Sequence, residues 1–347
     1  MTAWFGGKKK VEETVLLLDV ETGSVASGLV RVSEQQAPKL FAENRITLPV
    51  PATLDSRKLL HATERAVEEA LLHTATTAGR LRTSTHTPTL QHTSSRVRKQ
   101  VAQAGEVDRA IIVLAAPWSD FTPTKTGSPW THEPELVARL RRAVQQTFGN
   151  IPITIRPLGH VVAETTHRIF EQPGEVLFAA FTGEVLELLL AERGAVRARA
   201  TVPVGVHTLI RTLQSHAGMS PAEARSVLHL ARQHPTGTPA TYAAPLGAAQ
   251  ARIVSHITDA GAEILRFSLA GQVVVLAPEP AGEWLARALA AEPSLVALFA
   301  NGASVRALHT HHLKPHLAAH APSPDLLLLL EAIYADLCIA APTPKPR

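Results

Sequence analysis

The sequence predicts an α/β protein built as two similar lobes that face each other across a cleft. Short apolar runs beginning near Val15 and Val176 each open the same order of elements: strand, turn, strand, strand, helix, strand, helix. The third strands close alike, in Thr47-Leu48-Pro49-Val50 and Thr201-Val202-Pro203-Val204. An internal repeat of about 154 residues is too long for a solenoid unit and has the size of a lobe. The composition agrees: 347 residues, 45% apolar and 18% charged, are enough for two cores and too apolar for a disordered chain.

In the first half, Val15-Leu16-Leu17-Leu18 ends in Asp19 and runs into Glu21-Thr22-Gly23-Ser24, a buried strand entering a tight turn. Strands over 25–32 and 40–50 complete a meander that Pro49 and Pro51 stop. Asp55 and Ser56 cap a helix from Arg57 to about Gly79, with Leu60, Val67, Ala70 and Leu71 on one stripe. Thr83 to Ser95, rich in Thr, Ser, His and Pro, reads as a surface loop or disordered insertion. Arg109 to Ala115 is a central strand ended by Pro117-Trp118; a helix over 133–148, a strand over 151–156 and a helix over 159–170 follow.

The second half repeats this order. Strands over 176–181, 185–191 and 196–204 flank the turn Thr182-Gly183-Glu184. Helices over 206–217, 221–233 and 247–269 lead to a strand over 272–277, a helix over 281–291, a strand over 304–308 and a last helix over 325–338. That last helix is apolar with acids at intervals and has no basic face, so it reads as a core helix of the second lobe. The predicted organisation is a flexible N-terminus (1–13), a first lobe (14–172), a second lobe (173–340) and a disordered tail (341–347).

Other function classes fit poorly. The net charge of +4 rests on 34 basic against 30 acidic residues, scattered apart from Lys8 to Lys10, Arg96 to Lys99 and Arg139 to Arg142. With aromatics at 4% and no base-reading motif, no nucleic-acid partner is expected. Cys338 is the single cysteine, expected to be a small core residue of a cytoplasmic protein. No segment reads as a signal peptide or a membrane span. Trp4-Phe5 with Lys8 to Lys10 gives transient membrane contact at best. His309, His311, His312, His316 and His320 lie close together, but Pro315 interrupts their helix and a polar surface connection is the better reading than a zinc site.

Two stretches carry a resemblance. LLDVETGSV at 17–25 looks like a phosphate loop: a hairpin turn of small residues lets backbone N–H groups approach a phosphate, Thr22 and Ser24 add hydroxyl donors, and Asp19 would hold a hydrated magnesium ion. Over 176–226, the loop from Thr182 to Glu187, Gly194, Val202-Pro203-Val204-Gly205 and the capped helix start Ser220-Pro221-Ala222-Glu223-Ala224-Arg225 recur at compatible spacing. On these residues the chain resembles the actin-like ATPase superfamily of actin, the Hsp70 chaperones and sugar kinases, a duplicated ribonuclease-H-like fold. Within it the chain is most similar to the bacterial cell-division protein FtsA and the type IV pilus assembly protein PilM.

The resemblance implies a nucleotide site of Asp19, Thr22, Gly23, Ser24, Thr182, Gly183 and Glu184, with Asp19 as the metal ligand. It also implies erosion of that site. The family's second-loop Asp falls at Ala180 and its loop Thr at Leu186; its glycine-rich adenosine turn reads Leu276-Ala277-Pro278-Glu279; a Glu-Pro helix start reads Arg156-Pro157. ATP and magnesium binding are therefore expected to be weak or lost, and no catalytic residue is assigned. The expected function is a cytoplasmic scaffold of a pilus or division machine, peripheral at the inner membrane through the tail of a membrane protein, with self-association left open. The partner site is expected around Trp118 and the helix from Glu133. The alternative is a working ATPase or kinase that uses Asp19 with Glu184 or Glu187.

Overall fold

The computed structural model describes residues 12–34, 36–50, 55–83, 107–121, 130–170, 174–233, 240–266, 268, 270–277, 281–299, 304–321 and 323–340. Trp4, Phe5, the basic runs at 8–10 and 96–99, the expected insertion beyond Thr83, Pro278, Glu279 and the tail from Ala341 lie outside them.

The first half opens with three antiparallel strands, β1 (Glu12–Val20), β2 (Ser24–Ser33) and β3 (Gln36–Thr47). Helix α1 (Ser56–Thr83) then leads to β4 (Arg109–Leu114), which lies parallel to β1. A two-stranded ribbon, β5 (Ser119–Phe121) with β6 (Trp130–His132), precedes α2 (Pro134–Phe148), β7 (Ile153–Pro157) and α3 (Leu158–Phe170). The second half repeats the plan with β8 (Glu175–Phe181), β9 (Leu186–Glu192) and β10 (Ala195–Val202), then α4 (Val206–Ala217), α5 (Pro221–Gln233), α6 (Ala240–Ile264) and β11 (Gln272–Leu276). It closes with α7 (Ala281–Ala290), α8 (Pro293–Val296), β12 (Ser304–Ala307), α9 (Thr310–Leu313), β13 (Ala318–Ala319) and α10 (Leu326–Ala340).

The strand orders are β13-β3-β2-β1-β4-β7 and β10-β9-β8-β11-β12. β1 and β8 therefore hold equivalent central places, each with its next two strands antiparallel on one side and parallel strands on the other. Both are apolar almost throughout because both faces are covered. Leu16, Leu18, Ile112 and Leu114 pack outward with α1 and α2, while Val15, Leu17, Ile111 and Val113 face the middle of the molecule. Likewise Leu177, Ala179, Val273 and Val275 face the outer helices of the second lobe, and Val176, Phe178, Ala180 and Val274 face the middle.

That middle layer holds α3 and α10, and it corrects one expectation. The last helix does not pack only within the second lobe: Leu328, Leu329, Ile333 and Tyr334 are buried in one cluster with Val15, Ala26, Val30 and Leu40 of the first sheet. The reason is the chain path after β12, where Ala318 and Ala319 pair in parallel with Lys39 and Leu40 as a sixth strand of the first sheet, delivering α10 to its inner face. The halves thus share a core. Cys338 is also corrected: it is exposed, because the last turn of α10 runs beyond that core. Helix α6 begins at Ala240 rather than Gly247 and takes in Pro245, which removes one backbone donor from its second turn. Among the described residues, no helix is long and apolar enough to cross a membrane.

Candidate functional site

The predicted site residues lie at the tips of two hairpins, and the structure brings those tips into contact. In β1–β2 the last cross-strand pairs are Asp19 with Ala26 and Val20 with Val25; in β8–β9 they are Ala180 with Glu187 and Phe181 with Leu186. Both turns have the same length, so Ala180 is the positional counterpart of Asp19. A methyl group cannot take a metal or a proton.

The tips meet backbone to backbone. A Cβ on Gly23 would stand 2.6 Å from the Gly183 Cα, and one on Gly183 would stand 2.2 Å from the Gly23 Cα. Gly205, just before α4, is equally confined, since a Cβ there would lie 2.4 Å from the Gly183 carbonyl oxygen. Only glycine lets three backbones approach this closely. Hydrogen bonds then join the tips. The Thr182 hydroxyl donates to the Val185 carbonyl at 3.0 Å, so across the 2.9 Å contact the Thr22 hydroxyl donates to Thr182. Thr22 Oγ1 in turn accepts the Glu184 backbone N–H at 2.8 Å. Thr22 and Thr182 are 0% and 2% exposed.

The acids at the tips are already paired. Arg45 of β3 donates from Nη2 to Asp19 Oδ2 at 2.7 Å and from Nη1 to the Glu21 carboxylate, whose Oε1 also accepts the Ser24 hydroxyl at 2.9 Å. The same guanidinium forks onto Asp325, which caps α10 by accepting the Leu327 and Leu328 N–H groups at 3.0 and 3.1 Å. Burial pushes Asp19 up to about 8 despite Arg45, and raises Glu21 as well. Asp325 is driven up by burial but held below the usual range by Arg45 and its two backbone donors. One guanidinium beside several buried carboxyls cannot keep all of them ionised.

Across the junction, Glu184 binds His207 Nδ1 at 2.9 Å and both terminal nitrogens of Arg211 at 2.9 and 2.7 Å. Burial raises its carboxyl, but these partners outweigh burial and leave it at about 2. Glu187 is held by Arg199 Nε at 2.6 Å, while Arg199 also reaches Asp120 at 2.6 Å and the Ser119 carbonyl at 3.0 Å in the first half.

This geometry does not fit a polyphosphate with magnesium. Such a ligand needs N–H groups turned into open space and an acid available to its metal. Here the Glu184 N–H and the Thr22, Ser24 and Thr182 hydroxyls are spent within the protein, Asp19 faces a guanidinium, and the two loops touch.

Arg45 carries no sequence signal, because it sits 26 residues after Asp19 on an ordinary-looking strand. A bulge placed it. Ala42 takes a left-handed φ of 54° where the β2–β3 register shifts, and bulges re-aim the strand beyond them.

The expected partner region is corrected in one residue. Trp118 is 7% exposed and packs with Leu114, Leu136 and Leu140, so it is a core side chain. Trp130, which sequence reasoning passed over, lines an open groove of about 810 Å³ beside β7, the edge strand of the first sheet. Phe121 meets the Trp130 ring edge-on at 4.9 Å and the Arg199 guanidinium lies 5.7 Å from it. Arg141 and Arg156 also line the groove, and neither has a carboxylate partner among the described residues; Arg156 donates to the Tyr334 hydroxyl at 2.9 Å. The rings of His309, His311 and His312 lie with centroids 4.1 to 5.6 Å apart, His309 stacked on His311 and His312 tilted against both, and among the described residues no group of three or more side chains is arranged to hold a metal.

No family model matches the sequence, and no curated protein matches it. Solved structures do. A chain of a PilM–PilN type IV pilus biogenesis complex superposes over 94% of this chain and 99% of its own length, with a TM-score of 0.57 and 12% identity. The chain has the actin-like ATPase fold. Two further structures with this fold match less closely. The ethanolamine utilization protein EutJ from Carboxydothermus hydrogenoformans gives a TM-score of 0.45 at 12% identity, over 93% of this chain and 89% of that one. Component A of the Acidaminococcus fermentans (R)-2-hydroxyglutaryl-CoA dehydratase gives 0.43 at 10% identity, over 95% and 100%. The joined hairpins bring the two sheets into contact, and α3 and α10 pack in the layer between them.

Proposed function

We propose that this chain is an actin-like scaffold of a type IV pilus assembly machine that does not hydrolyse ATP. The contact between Gly23 and Gly183 carries this reading. Phosphoryl transfer requires metal and donors from both lobes to converge on the transferring phosphate. Ala180 leaves the second lobe without an acid at the place of Asp19, and the touching tips leave no space for the phosphate. The likeness to a PilM–PilN complex favours a pilus machine over a division machine.

The scaffold's partner in this reading is the extended tail of an inner-membrane protein. Among the described residues no strand pairs with the outer edge of β7 beside the groove, and an added strand would take up its outward-facing backbone groups. Trp130 forms part of the groove wall, and Arg141 offers a charge to an acidic tail side chain.

The test has two parts. Purified protein with magnesium and ATP should release no more phosphate than the Asp19→Ala variant; turnover clearly above that control sinks the pseudo-enzyme reading. In cells, the chain should sediment with inner membranes only when its pilus partner is expressed, and Ile155→Pro, which removes an outward-facing N–H while Thr154 and Arg156 keep the ladder to β4, should return it to the soluble fraction. Tight binding to protein-free liposomes would favour direct anchoring instead.

A further inference from the structure

Beside the joined hairpins lies a cavity of about 720 Å³, with Glu21, Glu43, Asn44 and Arg45 on the first-lobe side and Asp325 and His309 on the other. Its charge has the wrong sign for a nucleotide. Three carboxyls line it against one guanidinium, and behind them Asp19 and Glu331 are both 0% exposed.

The polar atoms left without partners there are acceptors. Glu21 is wholly buried and lines the cavity; its Oε1 takes Ser24 and Arg45, while Oε2 has no hydrogen-bond partner among the described residues. Asn44 spends its Nδ2 on Ser27, Ala70 and Thr74, and its Oδ1 has none. Deeper in, both carboxyl oxygens of Glu331 are unpartnered. Burial raises the Glu43 carboxyl to about 7, so it carries a proton that a bound cation would displace. Arg45 is one positively charged donor, and it leaves Glu21 Oε2 without a partner among the described residues. A bare metal ion suits it poorly, because Arg45 already occupies the centre of the acids and no group of three or more metal ligands is arranged among the described residues. An ammonium group brings three donors and one charge on a stem that the cavity has room to hold.

We propose that this cavity binds an organic cation through a primary ammonium group held by Glu21 and Glu43. The ammonium belongs either to a small polyamine or to a lysine side chain offered by another protein. This goes beyond the scaffold reading and does not depend on it, since it concerns a different cavity from the β7 groove.

The experiment is calorimetric titration of the full chain at pH 7 with spermidine, with N-acetyl-lysine amide and with ATP, in two buffers of different ionisation heat. Spermidine or the lysine amide should bind with net proton release, and ATP should give no saturable heat. Saturation by spermidine alone assigns a free polyamine; saturation by both assigns the ammonium group itself; saturation by the lysine amide alone assigns a presented lysine. Glu43→Gln, which breaks no ion pair seen among the described residues, should weaken binding about tenfold or more, the loss expected for one charge-assisted hydrogen bond. Glu21→Gln should do the same, with a melting curve reporting its fold. Absence of heat from both amines, or amine binding indifferent to Glu43→Gln, overturns the proposal.

Discussion

Arg45 grips Asp325 with two parallel donors, Nε to Oδ2 at 2.5 Å and Nη2 to Oδ1 at 2.8 Å, joining β3 of the first half to the cap of the last helix. The pair lies 280 residues apart in the chain. The fork matches a carboxylate in a way that an ammonium cannot. Arg45→Ala should therefore cost about 3–5 kcal/mol by leaving buried carboxyls without a counter-charge. Arg45→Lys should recover only part of that. Chemical denaturation of the three proteins at one pH decides it, and equal stability of the Lys variant and the parent counts against the fork.

Asp19 makes stability depend on pH in an unusual direction. Its ordinary value is 3.8 and burial lifts it to about 8. Between those values the folded carboxyl keeps a proton that the unfolded chain has released, so the contribution is complete below pH 3.8 and lost as pH rises through about 8. Asp19→Asn should flatten this slope, raising the melting temperature by about 2 °C or more at pH 8 and by less at pH 5. A variant that melts in parallel with the parent at both values contradicts the assignment.

Glu184 acts with the opposite sign. Its partners hold it at about 2 against an ordinary 4.5, so its contribution is present above pH 4.5 and disappears as pH falls through about 2. Glu184→Gln should cost about 2–3 kcal/mol at neutral pH, where Arg211 loses its charged acceptor. The deficit relative to the parent should shrink on acidification toward pH 2. Melting curves across that range are the check.

The hairpin contact is a steric claim. Gly183→Ala places a methyl group 2.2 Å from the Gly23 Cα, where backbone must move. A loss of about 3 kcal/mol is expected, at the upper end of overpacking costs. Gly149→Ala on the surface would probe a glycine whose Cβ meets nothing within 4 Å but whose φ of +84° still carries strain, separating backbone strain from collision. A Gly183→Ala protein as stable as the parent would show that the tips stand apart in solution.

Much of this protein was legible in the chain itself. Apolar runs such as Leu16-Leu17-Leu18 and Val273-Val274-Val275 marked the buried strands, because a strand covered on both faces has no polar side to disguise it. The matched endings at Thr47 and Thr201 marked the ends of equivalent third strands, one in each sheet. Ala180 could be placed opposite Asp19 by spacing, and strand register agrees. What the chain could not reveal lies in contacts between distant segments. Arg45 reads as one more charged residue on a strand until the Ala42 bulge turns it toward Asp19, Glu21 and Asp325. Trp118 and Trp130 have the same local appearance, yet one is core and the other lines a groove, since burial depends on which helix covers them. Residues 326–340 are apolar enough for any core, and only the crossing at Ala318-Ala319 assigns them to the layer between the lobes. Sequence periodicity reports which faces must be buried; the choice of what buries them is made by chain path and by charges that have no solvent to retreat to.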